Sequence, residues 1–442
     1  MSIEVEALFT SALGLQRPWV VESVKLDTAK RRIDFEVSCQ DAKLVCPHCG
    51  AADQMVHDRL RRSWRHLDFF QFEAWMHADV PRVACTACGK TTQTPVPWAR
   101  EGSGFTLLFE ALGLTLCQGL PVRQAAHMLR VQDKQLWRRI EHYVSKARHL
   151  QDMSQVKLVG IDETSLRKGH EYITVVHDLD EMRLLFATSG KDHKTLQAFA
   201  QDLQAHGGEP TAIAHACMDM SAAYAKGAAL YLPNAKISYD RFHVVALANE
   251  AMDEVRSAEW KTESAKVREA LGEMDAKERK TLLWATRRNP SSWSATQISA
   301  MHWLQRANLK TTRAWRLKMA LRAVFASART HNQAEQASMD LKAWISWARR
   351  SRLVAFKRLG KTLKTHFDAV VRGMLDHRSN AFVEAMNGLL QQAKRAARGF
   401  RTAACFINIA YLRMGKLTHL PVSSPFAPAA SRQSYRFGPM EA

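Results

Sequence analysis

Residues 156–190 read VKLVGIDETSLRKGHEYITVVHDLDEMRLLFATSG and hold three runs, VKLVGIDET, EYITVVHDL and MRLLFATSG, divided by short polar turns. Runs this rich in β-branched and aromatic residues predict strands, and strands joined by short turns pair as an antiparallel meander. The pattern then changes. DHKTLQAFAQDLQAHGG (192–208) predicts a helix, TAIAHACMD (211–219) a strand, SAAYAKGAALYL (221–232) a helix and AKISYD (235–240) a strand, with further helices after it. In a sheet built in that order Asp162 lies within the first strand, and Asp219 lies beside it at the carboxyl end of the fourth.

The order β-β-β-α-β-α-β is that of a ribonuclease-H-like fold, whose third acid must come from a returning helix. SNAFVEAMNGLLQQAKRAARGFR (379–401) supplies one. Asn380, Glu384, Asn387 and Gln391 share a polar stripe at helical spacing, while Val383, Met386, Leu389 and Leu390 lie around the apolar side. Two ionised carboxylates ~5 Å apart at an effective dielectric of ~20 repel by ~3 kcal/mol. Three such groups converge only around a cation or with raised pKa values. Hard oxygen donors with open positions suit Mg²⁺ or Mn²⁺, and two such ions can activate an attacking water or 3′-hydroxyl and stabilise the leaving oxygen.

Of the eight cysteines, four fall as Cys46-Pro-His-Cys49 and Cys85-Thr-Ala-Cys88, each pair followed by glycine, and the other four are scattered singly. That spacing predicts two knuckles closing a structural Zn²⁺ site of four thiolates rather than a disulfide framework. Between the pairs, RRSWRHLDFFQFEAWMHADVPRV (61–83) predicts a small antiparallel sheet. A piece so small is expected to depend on zinc for its folding. His48, between two ligands, reads as a solvated loop residue. TQTPVPWAREGSG (92–104) breaks every period and predicts a linker. From Phe105 to Arg148 apolar residues recur at three- and four-residue steps, interrupted at Gly119-Leu120-Pro121 and near Val131. This predicts three helices, the last of them a basic second helix of a helix-turn-helix carrying Lys134, Arg138, Arg139, Lys146 and Arg148 toward DNA.

The 63 Lys and Arg against 43 Asp and Glu give a net charge of +20, which points to a polyanionic partner, nucleic acid foremost. The charge is spread over several segments, unlike the single basic amphipathic helix of a membrane-surface protein. No apolar run approaches the length that spans a bilayer, and MSIEVEALFT lacks the features of a signal peptide, so a cytoplasmic location is expected. Residues 244–370 predict nearly continuous helix and contain seven of the twelve tryptophans, most of them expected in packing between helices. Trp293, in the turn NPSSW, is a candidate for stacking on an unpaired base. RAWRLKMALRAVF (313–325) and WARRSRLVAFKRLGKTLK (347–364) fit either a solvated face or a track for a DNA backbone. After Glu384 no acid occurs before Glu441, so Lys394, Arg395, Arg398 and Arg401 extend the acidic helix into a candidate phosphate-binding surface. The tail's composition predicts disorder.

Taken together, the ribbon CPHCG…CTACG with RSWRHLD between, PVPWAR, LPVRQAAHML, GIDETSLRKGHEYITVVHDLD, MDMSAAY, LPNAKISYDRFHVV and SNAFVEAMNGLLQQAKRAARGFR resemble bacterial insertion-sequence transposases of the ISL-three family, over almost the whole chain. The resemblance implies a multidomain α+β protein. Its expected parts are an N-terminal region 1–94 with the zinc ribbon at 46–88, a linker 95–104, and a helix-turn-helix domain 105–150. A ribonuclease-H-like core at 156–243 and 371–418 follows, interrupted by an all-helical insertion 244–370, and a tail 419–442 ends the chain. The family's catalytic Asp, Asp and Glu match Asp162, Asp219 and Glu384, and its Asp-x-x-His element matches Asp240 and His243, either as a structural tie or as a contact to DNA. Around the third acid the family pattern carries two glycines where this chain has Ala381 and Ala385. The implied activity is binding of the terminal inverted repeats, then metal-dependent cleavage and strand transfer into target DNA, by a homodimer or larger assembly. A DNA-binding regulator that has lost the reaction and a hydrolysis-only nuclease share most of these residues and remain alternatives.

Overall fold

A computed structural model describes residues 4–167, 171–261, 272, 275–307, 309–331, 333–375 and 381–421. The chain divides into two compact units, Met1–Ala147 with Thr418–Ala442, and Arg148–Leu417.

The first unit opens with α1 (Val5–Ala12) and the strands β1 (Trp19–Asp27), β2 (Arg32–Cys39), β3 (Lys43–Leu44), β4 (Gln54–Arg65), β5 (Glu73–Ala84) and β6 (Thr91–Gln93). They form one sheet in the order β1-β2-β5-β4-β3, with β6 on β5. The β4–β5 hairpin between the cysteine pairs is antiparallel, whereas β2 and β5 run parallel. Alternate residues face inward along β2, where Ile33, Phe35 and Val37 are buried, and along β5, where Ala74, Met76, Ala78 and Val80 are. The ribbon hairpin is therefore continuous with a larger sheet and a real core, which corrects the expectation that zinc alone folds it. A second correction concerns the linker. Trp98 is only 8% exposed and packs edge-on against Trp19 and Trp64, with ring centroids 4.9 and 5.5 Å away, so Trp98 and Ala99 anchor PVPWAR in the core while Pro95 and Pro97 stay exposed.

Three helices follow, α2 (Leu107–Gly119), α3 (Val122–Met128) and α4 (Asp133–His149). The Thr106 hydroxyl accepts from the Phe109 N–H and starts α2, and Pro121, which cannot extend a helix it follows, separates α2 from α3.

The second unit is built on β7 (Leu158–Arg167), β8 (Glu171–Asp178), β9 (Arg183–Ser189), β10 (His215–Met218) and β11 (Lys236–Tyr239), with α5 (His193–Ala205) and α6 (Ala222–Tyr231) as crossovers. The strand order is β11-β10-β7-β8-β9. β7, β8 and β9 are antiparallel neighbours, and β10 pairs parallel with both β7 and β11. Helices α7 (Arg241–Lys261), α8 (Ala276–Arg287), α9 (Ala295–Arg306), α10 (Lys310–His331), α11 (Ala334–Arg350), α12 (Val354–Thr365) and α13 (Phe367–Leu375) come next. Val159, Ile161, Met218 and Tyr239 of the sheet share one hydrophobic cluster with Val244, Leu317, Leu341, Trp344 and Phe356 of these helices. The boundary expected at residue 244 falls inside α7, because no turn residue interrupts the helix there. α14 (Ala381–Ala396) packs on β7, and α15 (Ala403–Met414) on β9. Among the described residues no helix is long and apolar enough to cross a membrane.

The tryptophans of 244–370 are mostly packing groups, as in the cluster of Trp260, Trp293, Trp303 and Trp315 around Leu282 and Met301. Trp284 and Trp347 are the exposed exceptions. Trp293 is not available to a base: its indole N–H donates to the Ala285 carbonyl at 2.8 Å, and its ring stacks on Trp315 at 5.9 Å.

Candidate active site

Parallel pairing of β10 with β7 sets Met218 opposite Ile161, so the next residue on each strand is an aspartate, Asp219 beside Asp162. Asp162 is buried. Its Oδ1 accepts the Glu163 N–H at 2.7 Å and its Oδ2 accepts the Asn387 amide at 2.5 Å. Burial first, then the charge of Asp219, pushes the Asp162 carboxyl up to about 7. From the first turn of α7, His243 places Nε2 2.8 Å from Asp219 Oδ1 and 3.9 Å from Asp240 Oδ2. The Asp219 carboxylate, more than the neighbouring Asp240, raises that imidazole to about 9. Apart from His243, Asp219 Oδ1 has no donor among the described residues. Ligand atoms of Asp162, Asp219 and His243 all lie within 4.8 Å of one another.

Glu384, in the first turn of α14, stands outside that trio yet in the same field. Desolvation raises its carboxyl, Asp240 and Asp219 raise it further, and His243 and Arg241 oppose them. Asp240 caps α7, its Oδ1 accepting from the Phe242 N–H at 3.1 Å, so the Asp-x-x-His element both ties α7 to the sheet and delivers His243 to the acids. Asn380 lies outside the described residues.

The seat of α14 is specific. A Cβ at Gly160 would come within 2.6 Å of Val383 Cγ2, so glycine beside Asp162 is what lets the helix approach the strand. Gln391 donates to Thr164 Oγ1 at 2.6 Å, and Lys394 Nζ to the Ser165 carbonyl at 2.6 Å. That contact corrects the expected role of Lys394, whose ammonium is held by protein and lowered in pKa by desolvation. Leu389 is exposed, contrary to its expected place on the apolar side, whereas Val383 and Leu390 of the same helix are buried. Arg395, Arg398 and Arg401 are exposed.

On α4, Lys134 and Arg138 face solvent, but Arg139 is only 9% exposed and donates to Glu110 Oε1 at 3.2 Å. Glu110, itself buried, also accepts from Arg100, Ser103 and Tyr143. Arg139 is thus the partner of a buried acid and not a DNA contact. Arg148 is likewise tied, to Asp202. Sequence reading missed Arg241 and Gly160, the first in plain view inside the Asp-x-x-His element and the second given meaning only by the docking of α14, while Gln391 meets Thr164 from the polar stripe on which it was expected.

At the other site Cys46, Cys49, Cys85 and Cys88 converge, with Cys46–Cys88 and Cys49–Cys85 sulfur separations of 3.9 and 3.5 Å. A tetrahedron of ~2.3 Å Zn–S bonds has edges of about 3.8 Å, so the four thiols fit zinc. Gly50 and Gly89, at φ 74° and 70°, return their N–H groups to the carbonyls of Cys46 and Cys85, turns that need the left-handed region. The backbone N–H groups of Cys49 and His48 lower the Cys46 thiol to about 7. His48 is not in the set and contacts Lys90.

Family models match along the chain. One described as a transposase spans residues 159–410, one described as the helix-turn-helix domain of transposase family ISL3 spans 94–144, and one described as the zinc-finger of the transposases of IS204, IS1001, IS1096 and IS1165 spans 43–88. Among curated proteins, the transposase for insertion sequence element IS1557 of Mycobacterium tuberculosis is 30% identical over 435 residues, covering 92% of this chain and 95% of its own length. The transposase for IS1001 of Bordetella parapertussis is 25% identical over 373 residues, covering 82% and 87%.

Proposed function

The chain belongs to the ISL3 (ISL-three) family of insertion-sequence transposases and is a DDE-type enzyme, and on that premise we propose that Asp162, Asp219 and Glu384 are the acids with which it cuts and joins DNA at the ends of its own element. The observation that carries this reading is the pair of adjacent carboxylates, one of them raised to about 7 by burial and by the other's charge. A carboxyl so placed has its strongest stabilising partner in a cation.

The donors fit a hard divalent ion: two aspartates on neighbouring strands, a buried Asp219 Oδ1 with no donor but His243 among the described residues, and Glu384 in the field of the same acids. Mg²⁺ or Mn²⁺ held by Asp162, Asp219 and Glu384 would supply Lewis-acid stabilisation of the attacking and leaving oxygens of the phosphodiester. The remaining work belongs to the chain. Asn387 fixes the orientation of Asp162, His243 holds Asp219 and offsets the negative field, and the charge of Arg241 favours the ionised form of Glu384. The four thiolates of the ribbon would hold structural Zn²⁺.

The strand order β11-β10-β7-β8-β9, with β8 alone antiparallel to the other four, supports a ribonuclease-H-like core that the helices of 244–370 interrupt. Lys134 and Arg138 on the second helix of the helix-turn-helix would contact the terminal inverted repeats, and Arg395, Arg398 and Arg401 the DNA flanking the cut. Two ends must be held together for strand transfer into target DNA, so a homodimer or larger assembly is proposed on DNA.

Purified protein, end-bearing DNA and Mg²⁺ test the assignment. Asp162→Asn, Asp219→Asn and Glu384→Gln should each slow nicking at the element end by at least about 10²-fold, the scale of losing one electrostatic partner of a transition state. A variant that nicks at the wild-type rate while correctly folded removes its residue from the chemistry. Joined products in a plasmid integration assay support strand transfer, and cleavage with no joining would reassign the chain to hydrolysis.

A further inference from the structure

The hairpin of α11 and α12 carries a basic cleft that the proposed chemistry does not use. Arg349, Lys357, Lys361, Lys364 and Thr365 line it. Lys357, Lys361 and Lys364 follow one another at i, i+4 and i+7, so they form a single stripe on α12, and Arg349 faces them from the end of α11. The close approach is built in: a Cβ at Gly360 would lie 3.1 Å from Arg349 Cγ and 3.5 Å from the Ile345 carbonyl, so the glycine lets the two helices press together and sets the guanidinium beside the lysines. All four cations are exposed, and none has a carboxylate within 4.0 Å among the described residues. Arg358, on the same helix but off the stripe, is by contrast paired with Glu254.

Like charges gathered at helical spacing oppose one another. Their common orientation toward one open cleft is complementary to a linear polyanion. We propose that this cleft holds the phosphate backbone of duplex DNA without regard to sequence, and so grips DNA outside the terminal repeats. The argument for a backbone contact is chemical. Lysine offers a point charge to phosphate, and among the described residues that line the cleft none is an Asn, Gln or aromatic side chain that would read a base edge or stack on one. The dimensions agree: Lys357 to Lys364 spans about 10 Å at 1.5 Å per residue. One strand of B-DNA presents a phosphate per ~3.4 Å of axis, so the stripe covers about three of them.

The inference rests on the transposase reading only for the identity of the polyanion. Its test is the salt dependence of binding to a random-sequence duplex, comparing wild type with two matched double variants, Lys361→Gln/Lys364→Gln in the cleft and Lys277→Gln/Lys280→Gln on the exposed face of α8. Removing one lysine–phosphate pair lowers the slope of log affinity against log salt by about 0.9, so the cleft variant should lose nearly two units of slope and on the order of tenfold in affinity per lysine at 0.1 M salt. The α8 variant should shift the slope by less than half a unit. An unchanged slope in the cleft variant, or equal losses in both, overturns the proposal. Wild-type protein that binds through the cleft but never cuts end-bearing DNA would instead sink the proposed catalytic function and leave the cleft standing.

Discussion

Asn387 gives its amide to Asp162 Oδ2 from one turn beyond Glu384, so a single side chain links the helix carrying the third acid to the strand carrying the first. Removing it leaves Asp162 free to turn. Asn387→Ala should raise the Mg²⁺ concentration needed for half-maximal nicking roughly 10- to 100-fold, the cost usual for the outer partner of a metal ligand. Equal metal requirements in variant and wild type would show that Asp162 is held by its strand alone. Buried histidines make a different residue-scale demand. His177 has no partner on either ring nitrogen among the described residues and packs edge-on to Phe382 at 5.7 Å, and burial lowers it to about 4. Between pH 6.5 and 4 the unfolded chain therefore binds a proton that the folded chain refuses. Stability contributed by neutral His177 is complete above that window and is lost as pH falls through it, by roughly 2.5 kcal/mol at about pH 4.5. Urea unfolding at about pH 7 and about pH 4.5 should show a smaller acid loss in His177→Leu than in wild type, the carboxylates being common to both.

α4 shows how adjacent residues of one helix divide between packing and partner. Arg138 and Arg139 are neighbours in sequence, but successive residues of a helix point about 100° apart, and only Arg139 turns inward to Glu110. Arg139→Ala should cost about 3 kcal/mol, the low end for breaking a buried pair, because Arg100, Ser103 and Tyr143 still serve the carboxylate. Arg138→Ala should leave the unfolding midpoint within the ~0.5 kcal/mol usual for surface changes and weaken binding to the terminal repeats. The reverse pattern, stable Arg139→Ala and unfolded Arg138→Ala, would contradict the assignment. α14 obeys the same logic: Gln391 and Lys394 are used up on Thr164 and Ser165, and the cations beyond them remain on the surface.

Each of the two units has its own hydrophobic cluster, and in the first the ribbon's thiols sit beyond the end of a sheet already packed by Trp19, Phe35, Trp64, Met76 and Trp98. Chelation of zinc should therefore loosen the knuckles without unfolding the sheet. Far-UV circular dichroism should be largely kept, with new tryptic cleavage confined to Lys43 and Lys90; loss of the whole first unit would restore the expectation that metal alone folds it. The strand order and the adjacency of Asp162 and Asp219 were legible because alternation, turn residues and two crossover helices are local signals that leave few ways to pair five strands. The two cysteine knuckles were legible because each is closed by backbone bonds within six residues. Other features were not written in local pattern. PVPWAR has the composition of a tether, yet Trp98 finds two tryptophans from distant strands. Arg139 has the spacing of a DNA contact, yet its acid lies on another helix. The amino-acid sequence by itself determined the elements, their order and the residue types offered to metal and phosphate. Tertiary structure alone decided which of those charges are buried against a partner, which side chains meet Asp162, and that cations from two helices share one cleft. Periodicity defines a face, but the energy of a charged or aromatic group depends on what covers that face, and the cover comes from elsewhere in the chain.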